Sequence, residues 1–410
     1  MKMKTGSIES RIDYSVILPT LFLMIIGVLA VYVAVSQDYP NNVTAIVGQQ
    51  VMWMFLGAGL AFLVMFFSTK FLWQVTPLLY LLGLGLMVLP LFFYSPTLVA
   101  STGAKNWVTI NGITLFQQSE FMKISYIVMM ARIIVSFQQK YPVRDIQKDF
   151  LLIGYLALCT LPIFILLGFQ QDLGTALVFL AIFGGMVLLS GVSWKILLPA
   201  ILLGLALIAG FLLLFLSPGG TTILHNLGMD TYQINRITAW LDPFKYAQST
   251  TYQQAQSLIA IGSGGLTGLG FNMSNLLIPV RESDMIFTVI GENFGFVGGL
   301  VVIALYFLLI FRMLRATLLS NNRFYTYIST GYIMMLLFHI FENIGAATGI
   351  LPLTGIPLPF ISQGGSSIIA NLIGVGLVLS MSYQHHLSED KRLSRSRSYK
   401  KITIKRVEGR

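Results

Sequence analysis

The sequence is poor in cysteine and in charge. Its single cysteine, Cys159, sits inside an apolar run. One thiol cannot close an internal disulfide, and without a CxxC pair or a Cys/His cluster nothing points to structural zinc or redox chemistry. Charged residues are 10% of the 410 positions, against roughly 25% in soluble globular proteins. That shortage excludes the two or three soluble domains the length would otherwise suggest. The uncharged stretches also lack the alternation of barrel strands, which excludes a β-barrel. A net charge of +10 is scattered along the chain, so nucleic acid is not an expected partner. No cleavable signal peptide is expected either. Arg11 and Asp13 precede an apolar run to Val35 that is too long for a signal h-region.

What is present is hydrophobicity in blocks. Apolar residues make up 55% of the chain, gathered in runs of about 20, long enough at 1.5 Å per residue to cross a ~30 Å hydrocarbon core. The expected fold is an all-α polytopic membrane protein. Ten transmembrane helices are predicted at about 14–35, 47–68, 71–93, 119–137, 150–168, 173–190, 196–216, 285–311, 324–349 and 365–383. With both termini cytoplasmic, 21 of the 26 Lys and Arg residues fall on the inner side, as the positive-inside rule requires. Residues 1–383 form one membrane domain, whose large extracellular loop at about 217–284 is expected to carry short interfacial helices. Residues 384–410 form a basic cytoplasmic tail, expected to be disordered at the anionic leaflet, with His385 and His386 solvated.

Nine of the 16 acidic residues fall on the outer side or in outer span ends. Carboxylates do little to set topology, so this bias asks for another cause, and an outward-facing polar site supplies one. Asp284, in PVRESDMIFTVIGENFGF, stands where the large loop enters the eighth span. Partial desolvation there raises a carboxylate toward the range of a general base, while an N-cap role is the plainer alternative. Glu120 and Lys123 share a helix face in FQQSEFMK, and Asp172 opens the next-but-one span in QQDLGTA. They read either as an ion network tying spans together or as the wall of a cavity that presents Lys123 to an anion. Arg236 and Arg281 are outer arginines suited to a phosphate fork or to lipid headgroups. Trp107 in GAKNWVTING is a belt residue or a stacking surface for a sugar. The run IGSGGLTGLG reads as close backbone packing against a span more than as an anion nest. LPLTGIPLPFISQGGSS must be rigid, non-helical backbone packed in protein or lining a wet cavity.

These motifs, in this order, resemble the SEDS family (shape, elongation, division and sporulation proteins), typified by RodA and FtsW. GAKNWVTI with FQQSEFMK, QQDLGTA, NRITAWLDPF, YQQAQSLIAIGSGGLTGLGF, ESDMIFTVIGENFGF and LPLTGIPLPFISQGGSS span nearly the whole chain. The short N-terminal segment and the NWVTING loop look more like the RodA branch. The resemblance implies a peptidoglycan glycosyltransferase that polymerises lipid II at the outer face of the bacterial cytoplasmic membrane, for elongation and shape. It implies as partners lipid II, the nascent glycan, a class B penicillin-binding protein and other membrane proteins of an elongation complex. The family's essential aspartate corresponds to Asp284 and its outer-loop tryptophan to Trp107. Its paired charges correspond to Glu120, Lys123 and Asp172. Where the family commonly has HTD, QPS, QPD and SYGGSS, this chain has ESD, QQS, QQD and SQGGSS. Glu282 therefore adds a carboxylate two residues before Asp284, expected to raise the latter's pKa or to recruit a cation.

Glycosyl transfer from a lipid pyrophosphate needs a base for the acceptor hydroxyl and positive charge for the leaving group. Asp284 is the expected base. Trp107, Lys123, Arg236 and Arg281 are expected substrate contacts, supported by a charge network of Glu120, Asp172 and Glu292. A divalent cation, Mg or Mn, is the one cofactor that would suit this chemistry, with no organic cofactor expected. Two alternatives stay open from the residues alone: a lipid II flippase, and a non-catalytic scaffold that activates a penicillin-binding protein.

Overall fold

The computed structural model describes residues 12–229, 231–245, 252–273, 276, 278–320 and 322–408. The chain opens with α1 (Tyr14–Asp38), α2 (Val43–Met65) and α3 (Thr69–Phe92). A short α4 (Pro96–Thr102) and the strands β1 (Val108–Ile110) and β2 (Ile113–Phe116) follow, then α5 (Gln118–Lys140), α6 (Ile146–Gln170), α7 (Leu173–Leu189) and α8 (Trp194–Leu216). The large loop holds α9 (Gly220–Asn226), α10 (Thr231–Leu241) and α11 (Tyr252–Gly264), the short helices expected there. The fold closes with α12 (Ile286–Leu319), α13 (Arg323–Ala347) and α14 (Gly365–Glu408).

A helix stands at each of the ten positions where a span is predicted. Eight of them are long and apolar enough to cross a membrane. The other two are α7, with only 17 residues, and α5, whose apolar character is diluted by Gln118, Ser119, Glu120 and Lys123, all turned inward. The basic tail, expected as a disordered extension, continues α14 as helical backbone to Glu408. Polar residues between spans define where helices start. Asp13, Ser68, Asp145, Asp172, Ser193 and Asn322 each accept a hydrogen bond from a first-turn N–H of the helix that follows.

Helices α13 and α14 form the buried centre, whereas α8 lies at the periphery and buries only Leu197 and Phe215. The glycine run after α11 packs backbone to backbone on α12, which kinks there at Gly295 (φ 63°, ψ −160°). Leu269 and Gly270 donate their N–H groups to the carbonyls of Glu292 and Asn293, and Phe296 and Val297 donate back to Gly265 and Leu266. A Cβ on Gly268 would fall 2.1 Å from the Asn293 carbonyl oxygen. The run is thus close packing, as expected, and these N–H groups are already spent on α12.

The first outer loop contains a structure that was not expected. Val108–Phe116 folds into a two-stranded antiparallel hairpin turned by Asn111 and Gly112, both at positive φ. The Asn-Gly pair supplies the twist that a two-residue hairpin turn demands. This hairpin holds Trp107 at its base.

Candidate active site

The residues ESD at 282–284 arrive on the loop that feeds α12. Helix α12 is capped by Met285, with no side-chain cap hydrogen bond, so the N-cap role considered for Asp284 is not the one it plays. Its carboxylate instead accepts a hydrogen bond from the Ser283 hydroxyl at 2.6 Å. The backbone beneath is tied down at three successive carbonyls. Gln363 N–H donates to Glu282 O at 2.8 Å, Ser362 Oγ donates to Ser283 O at 2.6 Å, and Asn343 Nδ2 donates to Asp284 O at 2.9 Å. Two of those donors belong to the LPLTGIPLPFISQGGSS segment. That segment is non-helical from Pro352 to Pro359 and is buried from Leu358 to Ser362, as its prolines require.

A cavity of about 1020 Å³ opens over this loop. Asp284, Glu282, Arg236, Trp107 and Asp172 all line it, together with Thr354 and Gly355. Arg236 is carried by α10, which Trp240 anchors by donating its indole N–H to the carbonyls of Gly349 and Ile350. The Arg236 guanidinium and the Asp284 carboxylate meet over Gly355. A Cβ there would lie 3.2 Å from Asp284 Oδ2 and 3.8 Å from Arg236 Nη2. Asp172 caps α7 through Thr175 and also accepts from Asn106 Nδ2 at 3.0 Å, which fixes the residue next to Trp107. Burial pushes the Asp284 carboxyl above its ordinary value, while the Ser283 hydrogen bond and the Arg236 charge pull it part of the way back. Glu282 is also raised, first by burial and further by the charges of Asp38 and Asp284. The neighbouring carboxylates repel one another, so each disfavours ionisation of the other.

An apolar groove of about 340 Å³ meets the cavity at Gln117, which lines both. Leu72, Phe121, Ile124 and Ile373 are among its walls, with Glu120 and Ser366 as its polar residues near Gln117. Among the described residues, no group of three or more His, Cys, Asp or Glu side chains could hold a metal ion. Magnesium commonly binds through one or two carboxylates and completes its shell with substrate phosphates and water, and Glu282 and Asp284 supply two on one wall.

The sequence model of the FtsW/RodA/SpoVE cell cycle protein family matches residues 14–387. The chain belongs to that family. It is 30% identical over 381 residues to stage V sporulation protein E of Bacillus subtilis, covering 90% of this chain and 96% of the relative. It is 37% identical over 287 residues to the peptidoglycan glycosyltransferase MrdB of Escherichia coli, covering 68% and 71% of the two chains. Among solved structures it resembles a chain from a peptidoglycan synthase complex described as coordinating polymerization and crosslinking. The TM-score is 0.71 at 28% identity, over 91% of this chain and 98% of that one. It also resembles the rod shape determining protein RodA of Thermus thermophilus, with TM-score 0.62 and 27% identity over 90% and 96% of the chains.

Within this FtsW/RodA/SpoVE fold the remaining predicted site residues are placed away from the cavity. Arg281 is fully buried. It forks onto Asp38 at the end of α1 (2.8 and 2.9 Å) and donates further to Gln37 Oε1 and Leu276 O. Its donors are committed, so it is an anchor between the outer loop and α1 and not the expected pyrophosphate contact. Lys123 is 2% exposed and lies inside the bundle, 2.9 Å from Glu120 Oε1 and 3.2 Å from His339 Nε2. It does not line the cavity. Glu120, Asp172 and Glu292 do not form one charge network. Glu120 pairs with Lys123, Asp172 serves the hairpin and α7, and Glu292 is buried on α12 with its backbone carbonyl paired to Leu269. Helices α5 and α6 are tied by the amide pair Gln118–Gln170 at 3.2 Å and by the Tyr126 and Thr160 hydroxyls at 2.7 Å. Sequence reasoning missed His339 and Asn343 and did not assign Glu342 a role. All three lie on one face of α13, in FHIFEN, and polar residues at that spacing on an apolar helix were the signal available.

Proposed function

We propose that this chain is a peptidoglycan glycosyltransferase that polymerises lipid II at the outer face of the cytoplasmic membrane, in the service of cell elongation. The observation that carries the reading is a half-buried, raised carboxylate beside an arginine on the wall of a large cavity that continues into an apolar groove. A lipid-linked sugar needs those three things together. Asp284 takes the proton of the acceptor sugar hydroxyl, and a base held above the ordinary carboxylate range suits that task. Arg236 opposes the charge that develops on the departing pyrophosphate. Trp107 offers its ring to a sugar face, and the groove beside Gln117 takes a polyprenyl tail. Asp172 keeps the Trp107 segment in place. A Mg or Mn ion, brought in with the pyrophosphate and held by Glu282, would neutralise charge on the leaving group. A class B penicillin-binding protein is the partner that would crosslink the product, in keeping with the synthase complex that one similar chain comes from.

A base of this kind contributes about 10²–10⁴-fold to rate. Purified Asp284→Asn is therefore expected to bind lipid II and to make glycan at least about a hundredfold more slowly. Near-normal polymer from that variant would remove the carboxylate from the mechanism. Transfer of lipid II across vesicles without any polymer from the unaltered chain would point to a flippase instead.

A further inference from the structure

A second polar pocket, of about 470 Å³, lies at the opposite end of the bundle. Helix α5 starts beside the Asp284 cavity and ends at Lys140, next to this pocket, so its 23 residues separate the two by about 35 Å at 1.5 Å per residue. The pocket sits among the ends of α5 and α7 and the start of α13. Arg144 and Arg323 line it, together with Gln138, Ser190 and Tyr327, and no carboxylate does.

The donors around it are unevenly spent. Arg144 is fixed by Asp149 and by the Ser190 carbonyl, both at 2.6 Å. Gly191, at φ +83°, lies close against it, where a Cβ would stand 3.2 Å from Arg144 Nη1. Lys148 is paired with Asp145. Arg323 is exposed and has no carboxylate partner among the described residues, and Lys140 likewise has none. The Tyr327 hydroxyl accepts from Gln138 Nε2 at 2.6 Å, which leaves its own proton to donate. One side of the pocket is apolar and open. Leu189 lines it and is 58% exposed, and Leu188 and Trp194, near it in sequence, are 43% and 65% exposed, where hydrocarbon would cover them. A recessed cationic pocket with an apolar flank, on the face to which the positive-inside count assigns the cytoplasm, matches the surroundings of an inner-leaflet lipid phosphate.

We propose that this pocket binds the phosphodiester headgroup of an anionic glycerophospholipid from the inner leaflet. Arg323 and Tyr327 contact the phosphate, Arg144 lends its fixed charge, and the acyl chains lie along Leu188 and Leu189. The site is independent of the chemistry at Asp284.

The test uses the full chain in nanodiscs of phosphatidylcholine containing phosphatidylglycerol, with native mass spectrometry reading which lipids stay bound as the disc is stripped. Phosphatidylglycerol is expected to be retained in preference to phosphatidylcholine. Arg323→Gln is expected to lower its occupancy about five-fold, the effect of one cation near an anionic surface. Tyr327→Phe, which removes only a hydroxyl, lowers it as well, and Arg315→Gln, on α12 outside the pocket, leaves it unchanged. Equal retention of the two lipids overturns the proposal, as does the same phosphatidylglycerol retention in the unaltered chain and both pocket variants. If inorganic phosphate binds without any preference for phosphatidylglycerol, the pocket holds a free anion and the lipid assignment fails.

Discussion

Replacing Arg281 by methionine separates an anchor from a substrate contact. Arg281 and Asp38 are 1% and 9% exposed and share a two-pronged ion pair. Removing one partner leaves the other charged, dry and alone, a change that costs about 3–5 kcal/mol. Arg281→Met and Asp38→Leu are thus expected to lower stability by similar amounts, because each strands the other's charge. The double replacement Arg281→Met with Asp38→Leu removes both charges and fills the space with carbon, so it should recover most of that loss. The cycle is read from the shift in thermal unfolding midpoint of the detergent-solubilised chain across the four proteins, together with lipid II turnover per folded molecule. A pair that acts only on the fold gives strongly non-additive melting and a KM for lipid II that is unchanged in the recovered double variant. If Arg281→Met melts like the unaltered chain while losing turnover, Arg281 touches substrate and the anchor argument is refuted.

Three further outcomes follow from the cavity, and a fourth from the packing of α11 on α12. Arg236 stabilises the ionised form of Asp284, so Arg236→Gln should raise the Asp284 pKa and move the acid limb of the pH–rate profile to higher pH, beyond its effect on rate. Glu282→Gln removes the neighbouring carboxylate and should move that limb to lower pH, and an unmoved profile would show that the two carboxylates are not coupled. Gly355→Ala places a methyl 3.2 Å from Asp284 Oδ2 at φ +79°, and a left-handed conformation costs about 1–2 kcal/mol in strain. Glycan synthesis should fall more than the melting point does, and unaltered synthesis would show that the approach to Asp284 has room to spare. Gly264→Ala drives a Cβ to 2.0 Å from the Gly291 carbonyl, so it should lower the yield of folded protein, measured as the monodisperse fraction after solubilisation. A normal yield would mean that α11 can shift off α12.

The spans were legible because apolar runs of that length have few alternatives to a helix in lipid. Even α5, too polar to qualify by composition, could be placed, because Glu120 and Lys123 pair at its outer end and a mainly apolar run, residues 124–131, follows them. The hairpin at Val108–Phe116 was missed although its signal was present. An Asn-Gly pair between β-branched residues is a strong short-range hairpin mark, but the NWVTING segment is read there only as the loop that carries Trp107. The arginines mark the harder limit. Arg236 and Arg281 are both outer arginines on loops, and nothing local tells them apart. Their fates differ because the end of α1 brings Gln37 and Asp38 up to Arg281, while α10 is pinned so that Arg236 faces the cavity. Such differences come from packing between elements far apart in sequence. Lys123 was misplaced for a similar reason, since its partner His339 lies on a different helix.

The motif LPLTGIPLPFISQGGSS stands out most in the sequence, yet contributes few groups that could do chemistry. Its role is found in what it holds. A general base is useful only if it stays within a few tenths of an ångström of the proton it takes, and a loop entering a helix is ordinarily too loose for that. Here the carbonyls of Glu282, Ser283 and Asp284 are each held by a different donor, two from this segment and one from Asn343 on α13. Ser362 also accepts from the Leu358 N–H, so the clamp on Ser283 is itself braced, and Gln50 on α2 donates to the Ser362 carbonyl. A regular helix could not do this, because its interior N–H groups are already spent on its own carbonyls. The prolines and glycines that break the helix keep backbone donors and a serine hydroxyl available to grip the neighbouring loop. On this account the segment's irregularity is what makes Asp284 rigid. That explains why the most conspicuous motif and the candidate base occupy separate parts of the sequence and one place in the fold.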